Sequence, residues 1–329
     1  MASSSSNSQH NVTLIGLGTI GISFAALHIK HTNAVVSLYD TRPDLEEYID
    51  SALPSYIDSE DATLSLAQLR LTGRLKICSS LEEACQNATI VQEQGPENLP
   101  FKRSIWSQVE NLVSDTTHFW SSTSGIPASH QVEDMNDQTR LLVVHPFNPP
   151  HVMPLIEIVP SPITKSTEVD FAKQYFTDMA SGHQPIVLKK EIAGFVGNRL
   201  AFALLREACS LVDRDVISAQ DLDLLVEASI GPRWAVQGPF KSYNMGGGPG
   251  GLAGFLKNLS GTIQGVWNSS EPVSFADPLG ERNGDGWEGK VIAQVAEAYG
   301  SPTPSQFTAR DVALNEVFEV QKKMRENPE

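Results

Sequence analysis

His145 and Glu157 are residue types at a spacing from which proton-transfer chemistry can be built. His145 ends an apolar run, Leu141 to Val144, and a proline-rich loop leads to a second run, Leu155 to Val159, interrupted only by Glu157. A lone carboxylate among Leu155, Ile156, Ile158 and Val159 is expensive to bury unless something pairs with it, and His145 is the obvious partner. A carboxylate bonded to one imidazole nitrogen fixes the tautomer and leaves the other nitrogen to take a proton near neutral pH. The competing reading is a satisfied structural pair. His151, in the same loop, reads as a rim residue rather than a second base.

The chain upstream supplies a partner for such a base. Val12 to Ile15 is strand-like and runs into Gly16-Leu-Gly18-Thr19-Ile20-Gly21, followed by a helical apolar run, Ile22 to Ile29, and a second strand, Ala34 to Tyr39, ending in Asp40. This is a dinucleotide fingerprint in its strand-turn-helix context. Gly16 allows the tight turn, Gly18 lets backbone approach a pyrophosphate, and Gly21 lets helix and strand pack closely. Amides at the start of the helix, Thr19 and Ile20 among them, face the phosphates. Asp40 stands 19 positions after Gly21 (40 − 21), where a carboxylate bonds ribose hydroxyls and repels a 2′-phosphate. The expected cofactor is therefore NAD rather than NADP, although Arg42 nearby weakens the preference.

Strand and helix signals then alternate, as in a parallel sheet with covering helices. Strands are expected at Leu75 to Cys78, Thr89 to Gln92, Thr117 to Ser121, Leu141 to Val144 and Leu155 to Val159, with Ile186 to Leu188 at an edge. Helices are expected around Leu64 to Leu71, Leu81 to Cys85 and Phe101 to Val113. The polar loops Gln92 to Asn98 and Ser121 to Gly125 should join the His145 loop along one crevice. Past residue 190 the pattern becomes helical. Phe195 to Val212 is apolar nearly all round, Ser218 to Asp221 is a capping box whose helix should stop at Gly231-Pro232, and Lys290 to Tyr299 and Thr308 to Arg325 read as helices. The glycine run from Gly246 to Gly251 is a flexible or tightly turned loop, not a phosphate cradle. The fold class is thus α/β, a Rossmann-like, doubly wound, mostly parallel sheet followed by an all-α domain. The boundaries are a flexible tail over 1–10, a dinucleotide domain over 11–190 and a helical substrate and dimerisation domain over 191–329.

Composition narrows the partners. A net charge of −15 disfavours nucleic acid and anionic membranes, and no apolar run is long enough to cross a bilayer. The polar opening lacks a signal peptide's apolar core, and Cys78, Cys85 and Cys209 lack metal-ligand spacing and read as reduced thiols. These features suit a cytoplasmic enzyme with a small-molecule substrate and no metal.

Jointly, Gly16-x-Gly18-x-x-Gly21, Pro96-Glu97-Asn-Leu-x-x-Lys102, Ser122-Thr-Ser124, His145-Pro-Phe-Asn148-Pro, Glu157 and Gly194-Phe-Val-x-Asn198-Arg199 resemble the 3-hydroxyacyl-CoA dehydrogenase superfamily. The resemblance implies that His145 is the catalytic base and Glu157 the carboxylate orienting it. It implies that Ser124, Asn148 and Asn198 contact the substrate oxygen or hold the histidine region, that Glu97 and Lys102 lie near the nicotinamide, and that the helical domain forms a homodimer. Lys102 could equally be a helix-face charge. Gly231-Pro-Arg233-Trp234 and Ser-Thr-Ser are similar to the L-gulonate 3-dehydrogenase, lambda-crystallin and carnitine dehydrogenase branch. A guanidinium at Arg233 suits a free carboxylate, which favours a small 3-hydroxy acid over an acyl-CoA thioester. An NAD-binding structural or sensing protein without turnover is the reading of another class.

Overall fold

The computed structural model describes residues 9–57, 64–179, 181–275 and 286–326. Residues 1–8 of the expected tail and residues 276–285 lie outside them. The chain divides into two compact units between Asn198 and Arg199.

The first unit is built on one sheet of β1 (Asn11–Ile15), β2 (Val35–Tyr39), β3 (Leu75–Ile77), β4 (Ile90–Glu93), β5 (His118–Ser121), β6 (Leu141–Pro146), β7 (Leu155–Pro160) and β8 (Gln184–Val187). Its order is β3-β2-β1-β4-β5-β6-β7-β8, so the chain reverses direction across the sheet between β1 and β4. That reversal opens a crevice at the carboxyl ends of the strands, where dinucleotides bind in this architecture. Every pairing is parallel except β6 with β7, which is antiparallel.

Both faces of the sheet are covered. The helices are α1 (Thr19–His31), α2 (Leu45–Ala52), α3 (Pro54–Ile57), α4 (Leu66–Leu71), α5 (Leu81–Cys85), α6 (Leu99–Glu110), α7 (Ala128–Gln131) and α8 (Ser166–Asp178). Leu14, Ile90, Trp120 and Leu142 pack with Phe24 and Leu27 of α1 and Phe176 of α8. Ile15, Val91, Phe119 and Leu141 pack with Ile105, Trp106 and Val109 of α6. Neighbouring residues in a strand thus enter opposite layers, which explains why the strands read as continuous apolar runs. Helix starts follow local chemistry: the hydroxyls of Ser65 and Ser80 accept from Gln68 and Glu83 amides, and the Asn98 side chain accepts from Phe101 N. Four of these helices, α2, α3, α7 and α8, are absent from the sequence reading.

In the second unit every regular element among the described residues is helical: α9 (Gly197–Asp213), α10 (Ala219–Ala228), α11 (Ile230–Val236), α12 (Pro239–Gly246), α13 (Gly251–Ser269), α14 (Trp287–Tyr299) and α15 (Pro304–Glu326). Ser218 caps α10 through Asp221 N, as the capping box requires. The helix does not run to Gly231-Pro232, however. It ends at Ala228, and Pro232 sits in the first turn of α11, where its missing N–H costs nothing. The glycine run is a tight turn through a 3-10 segment, Gly248–Gly250, joining α12 to α13. No helix among the described residues is long and apolar enough to span a membrane.

His28, inside α1, is wholly buried, with Nδ1 on the Tyr175 hydroxyl at 2.9 Å and Nε2 on Gln92 Oε1 at 3.1 Å. Burial pushes its pKa from 6.5 to about 4; the Gln92 bond opposes this only in part, and His183 and His10 add to it. The unfolded chain therefore binds the proton that the folded chain refuses between those values. Stability is fully present above 6.5 and is lost as pH falls toward 4. We expect His28 to remove about 2 kcal/mol of stability at about pH 5 relative to neutral pH. Urea unfolding of wild type and His28→Gln at the two pH values checks this, because the variant should show the smaller acid loss.

Candidate active site

The turn after β1 has the shape that the fingerprint demands. Gly16 adopts φ 90°, in the left-handed region, and a Cβ on Gly21 would stand 2.1 Å from Gly16 O, so α1 can approach β1 this closely only without a side chain there. A Cβ on Gly18 would meet nothing within 4 Å. The space beside Gly18 is open, as a cradle for phosphate must be. Gly16, Gly18, Asp40, Ser80 and Gln94 line a cleft of about 910 Å³, within the range of small-molecule and cofactor sites. These residues fit a dinucleotide: Gly16, Gly18 and the amides opening α1 would hold the diphosphate, and Asp40 the ribose.

Asp40 bonds the turn itself, accepting from Leu17 N at 2.6 Å and Arg42 N at 3.0 Å. The Arg42 side chain turns toward Asp44 at 2.8 Å and lies over the Tyr48 ring at 3.6 Å. Thr19 is exposed at the start of α1, while Ile20 packs on the core.

At the carboxyl end of β6 the antiparallel register sets His145 directly against Glu157 of β7. His145 Nδ1 lies 2.7 Å from Glu157 Oε2, and both side chains are almost wholly buried. The second oxygen, Oε1, accepts from Val196 N and Gly197 N, each at 3.0 Å, at the start of α9. Burial raises the pKa of Glu157, but the His145 bond and the two backbone amides outweigh it, so the group ends below the ordinary carboxylate range. His145 Nε2 has no hydrogen-bond partner among the described residues. Its ring is wedged between Phe147 and Phe195, with centroids at 5.6 and 5.2 Å. A Cβ on Gly197 would sit 2.3 Å from the Phe147 ring, so any larger residue there would push that ring aside.

Other candidate residues join this centre through backbone bonds. Asn198 Nδ2 donates to Ser124 O at 2.8 Å, fastening the Ser-Thr-Ser loop to the start of α9. Glu97 accepts from Gly125 N at 2.8 Å and from the Thr123 hydroxyl. Ser124 and Asn148 are exposed, Asn148 preceding a cis-Pro149. The loop of Asn148 is tied back by His151, whose Nδ1 lies 2.8 Å from Ser23 Oγ of α1. Lys102 is not a helix-face charge. It is buried, with Nζ 2.9 Å from both oxygens of an equally buried Glu93 and 4.0 Å from Glu97. Arg233 is exposed on α11 and makes no ion pair among the described residues.

Sequence reasoning missed Glu93, which also accepts from Ser121 Oγ and Gly95 N. Its signal was available, because a carboxylate directly after Ile90-Val-Gln needs a partner as much as Glu157 does. The amide donors of Val196 and Gly197 carried no side-chain signal at all.

This fold and cleft define a class, the NAD-dependent dehydrogenases. Residues 11–192 match the family model "3-hydroxyacyl-CoA dehydrogenase, NAD binding domain" and residues 194–288 the C-terminal domain of the same family. The chain belongs to the 3-hydroxyacyl-CoA dehydrogenase family. A 3-hydroxyacyl-CoA dehydrogenase of Gibberella moniliformis is 35% identical over 75% of this chain and 76% of its own. An L-carnitine dehydrogenase of Streptomyces griseus is 34% identical over 79% of this chain and 76% of its own. The structure of 5-formyl-3-hydroxy-2-methylpyridine 4-carboxylic acid 5-dehydrogenase, an NAD+ dependent dismutase, superposes with a TM-score of 0.74 at 28% identity, over 95% of this chain and 99% of that one.

The two glycines separate folding from cofactor binding. Gly18→Ala adds a methyl where the protein leaves space, so the ligand-free unfolding temperature should hold while NAD affinity falls at least tenfold. Gly21→Ala drives a methyl into backbone, and should lose both affinity and about 1–3 kcal/mol of stability. Calorimetric titration with NAD and thermal unfolding of the two variants check this; intact NAD binding in Gly18→Ala would refute the cradle.

Proposed function

We propose that the protein oxidises the 3-hydroxyl of a small hydroxy acid with a free carboxylate, or reduces the corresponding ketone, with NAD as the redox partner. The observation that carries this reading is His145, held by Nδ1 on a carboxylate that two backbone amides fix in turn, with Nε2 left to accept a proton. Nε2 takes the hydroxyl proton of the substrate, and Glu157, kept ionised, stabilises the imidazolium that forms. NAD bound in the cleft would supply the acceptor for the hydride of the carbinol carbon. Ser124 and Asn198 bond the substrate oxygen or keep the His145 region in place, and Asn148 extends that contact. Glu97 keeps the Ser-Thr-Ser loop against the nicotinamide side, and Lys102 acts there through its pair with Glu93. Arg233 binds the substrate carboxylate.

The carboxylate reading draws support from the relative named L-carnitine dehydrogenase, since carnitine is itself a 3-hydroxy acid. The thioester reading draws support from the relative named 3-hydroxyacyl-CoA dehydrogenase. We further infer a cytoplasmic homodimer formed through the helical unit, where Leu200, Phe202, Leu205, Phe240 and Trp267 are exposed. A single-chain mass in sedimentation would refute the dimer.

His145→Ala should abolish turnover and leave NAD affinity nearly unchanged; appreciable residual activity would remove His145 as the base. NADH formation on L-gulonate, carnitine, 3-hydroxybutyrate and 3-hydroxybutyryl-CoA decides the substrate class. Arg233→Ala should raise the Michaelis constant for a carboxylate substrate by about 2 kcal/mol in binding, with little change for the thioester. Turnover of the thioester alone overturns the carboxylate reading.

A further inference from the structure

Two glutamines, one within β4 and one just past its end, face opposite circumstances. Gln92 is wholly buried and fully used, with Oε1 3.1 Å from His28 Nε2 and Nε2 donating to Ser122 Oγ at 3.0 Å. Two residues on, both amide atoms of Gln94 are buried and neither has a hydrogen-bond partner among the described residues. A buried carboxamide without partners costs free energy, and an apolar side chain of similar size would avoid that cost.

The position of Gln94 says what would satisfy it. Its backbone N–H donates to Ile15 O at 2.8 Å, so it is the first residue after β4, where the chain reverses across the sheet. Its backbone lies against Gly16, where an added Cβ would come within 2.9 Å of Gln94 C. Its Oε1 lies 3.5 Å from where a Cβ on Gly21 would be, beneath the same turn. It lines the cleft together with Gly16, Gly18 and Asp40. The orphaned amide therefore sits beneath the glycine turn of the dinucleotide cleft.

We propose that Gln94 is a cofactor-binding residue of this chain, its carboxamide engaging the second phosphate of bound NAD and the nicotinamide-side ribose, both absent from AMP. An amide offers two donors on Nε2 and an acceptor on Oε1. That stretch of the cofactor presents both complements, phosphate oxygens to accept and ribose hydroxyls to donate. NAD binding is the basis of this proposal, and it holds for any hydroxy substrate.

The test is calorimetric titration of the full chain with NAD, ADP-ribose and AMP, alongside thermal unfolding without ligand, for wild type, Gln94→Ala, Gln94→Leu and Gln94→Glu. The first two variants should bind NAD and ADP-ribose about tenfold more weakly and AMP nearly as wild type. Gln94→Glu should weaken the first two ligands further, through repulsion that added salt relieves. The ligand-free unfolding temperature of Gln94→Leu should hold or rise, because the unmet polar atoms are gone. Unchanged NAD affinity in Gln94→Ala and Gln94→Leu overturns the proposal, since water then satisfies the amide. Equal weakening of AMP and ADP-ribose also overturns it, as does a loss of ligand-free stability that tracks the loss of affinity. Because no hydroxy substrate is present, failure here is distinct from failure of the substrate reading.

Discussion

The antiparallel pairing of β6 with β7 is the constraint on which the site depends. In a sheet that is otherwise parallel, this reversal puts residue 145 directly across from residue 157, so an imidazole and a carboxylate meet with their side chains on one face. A slip of one residue would turn them to opposite faces. The apolar neighbours Val143, Val144, Ile156 and Ile158 hold the register, because any shift would expose them. The pair is then sealed by Glu157 Oε1, which takes the orphan amides at the start of α9. One carboxylate thus orients the base and caps the helix that leads into the second unit.

A second constraint is the reversal between β1 and β4. It brings Gly16, Gln94 and the loop of Glu97 to the same end of the sheet as His145, because parallel strands deliver all their carboxyl ends to one edge. The Ser-Thr-Ser loop is held between these regions by Glu97 on one side and Asn198 on the other. Buried charge supports this edge twice, in Glu157 with His145 and in Glu93 with Lys102. Each carboxylate is enclosed with its partner, and removing Lys102 would leave Glu93 as an uncompensated buried charge.

Much of the architecture was legible in the sequence because periodicity and turn chemistry are local. Strands buried on both faces read as apolar runs, and the glycine fingerprint lay between a strand and a helix. Capping at Ser218 was equally visible, since a side-chain oxygen and its amide partner are three residues apart. Helices α2 and α8 were missed, their apolar faces being diluted by Glu46, Glu47, Lys173 and Asp178. The break before Ile230 was misplaced, because a proline in a first turn and a proline ending a helix look alike until the backbone is seen.

The sequence by itself determined the dinucleotide turn, the alternation of strands and helices, and the need of Glu157 for a partner, because each follows from neighbours along the chain and from the cost of burying a charge. Only the tertiary structure decided that Glu157 also holds the amides of Val196 and Gly197, that Lys102 belongs to Glu93, and that Gln92 is satisfied while Gln94 is not. Those outcomes are contacts between segments far apart in sequence. Backbone amides carry no residue identity, and a buried polar side chain announces that it requires a partner without naming which one.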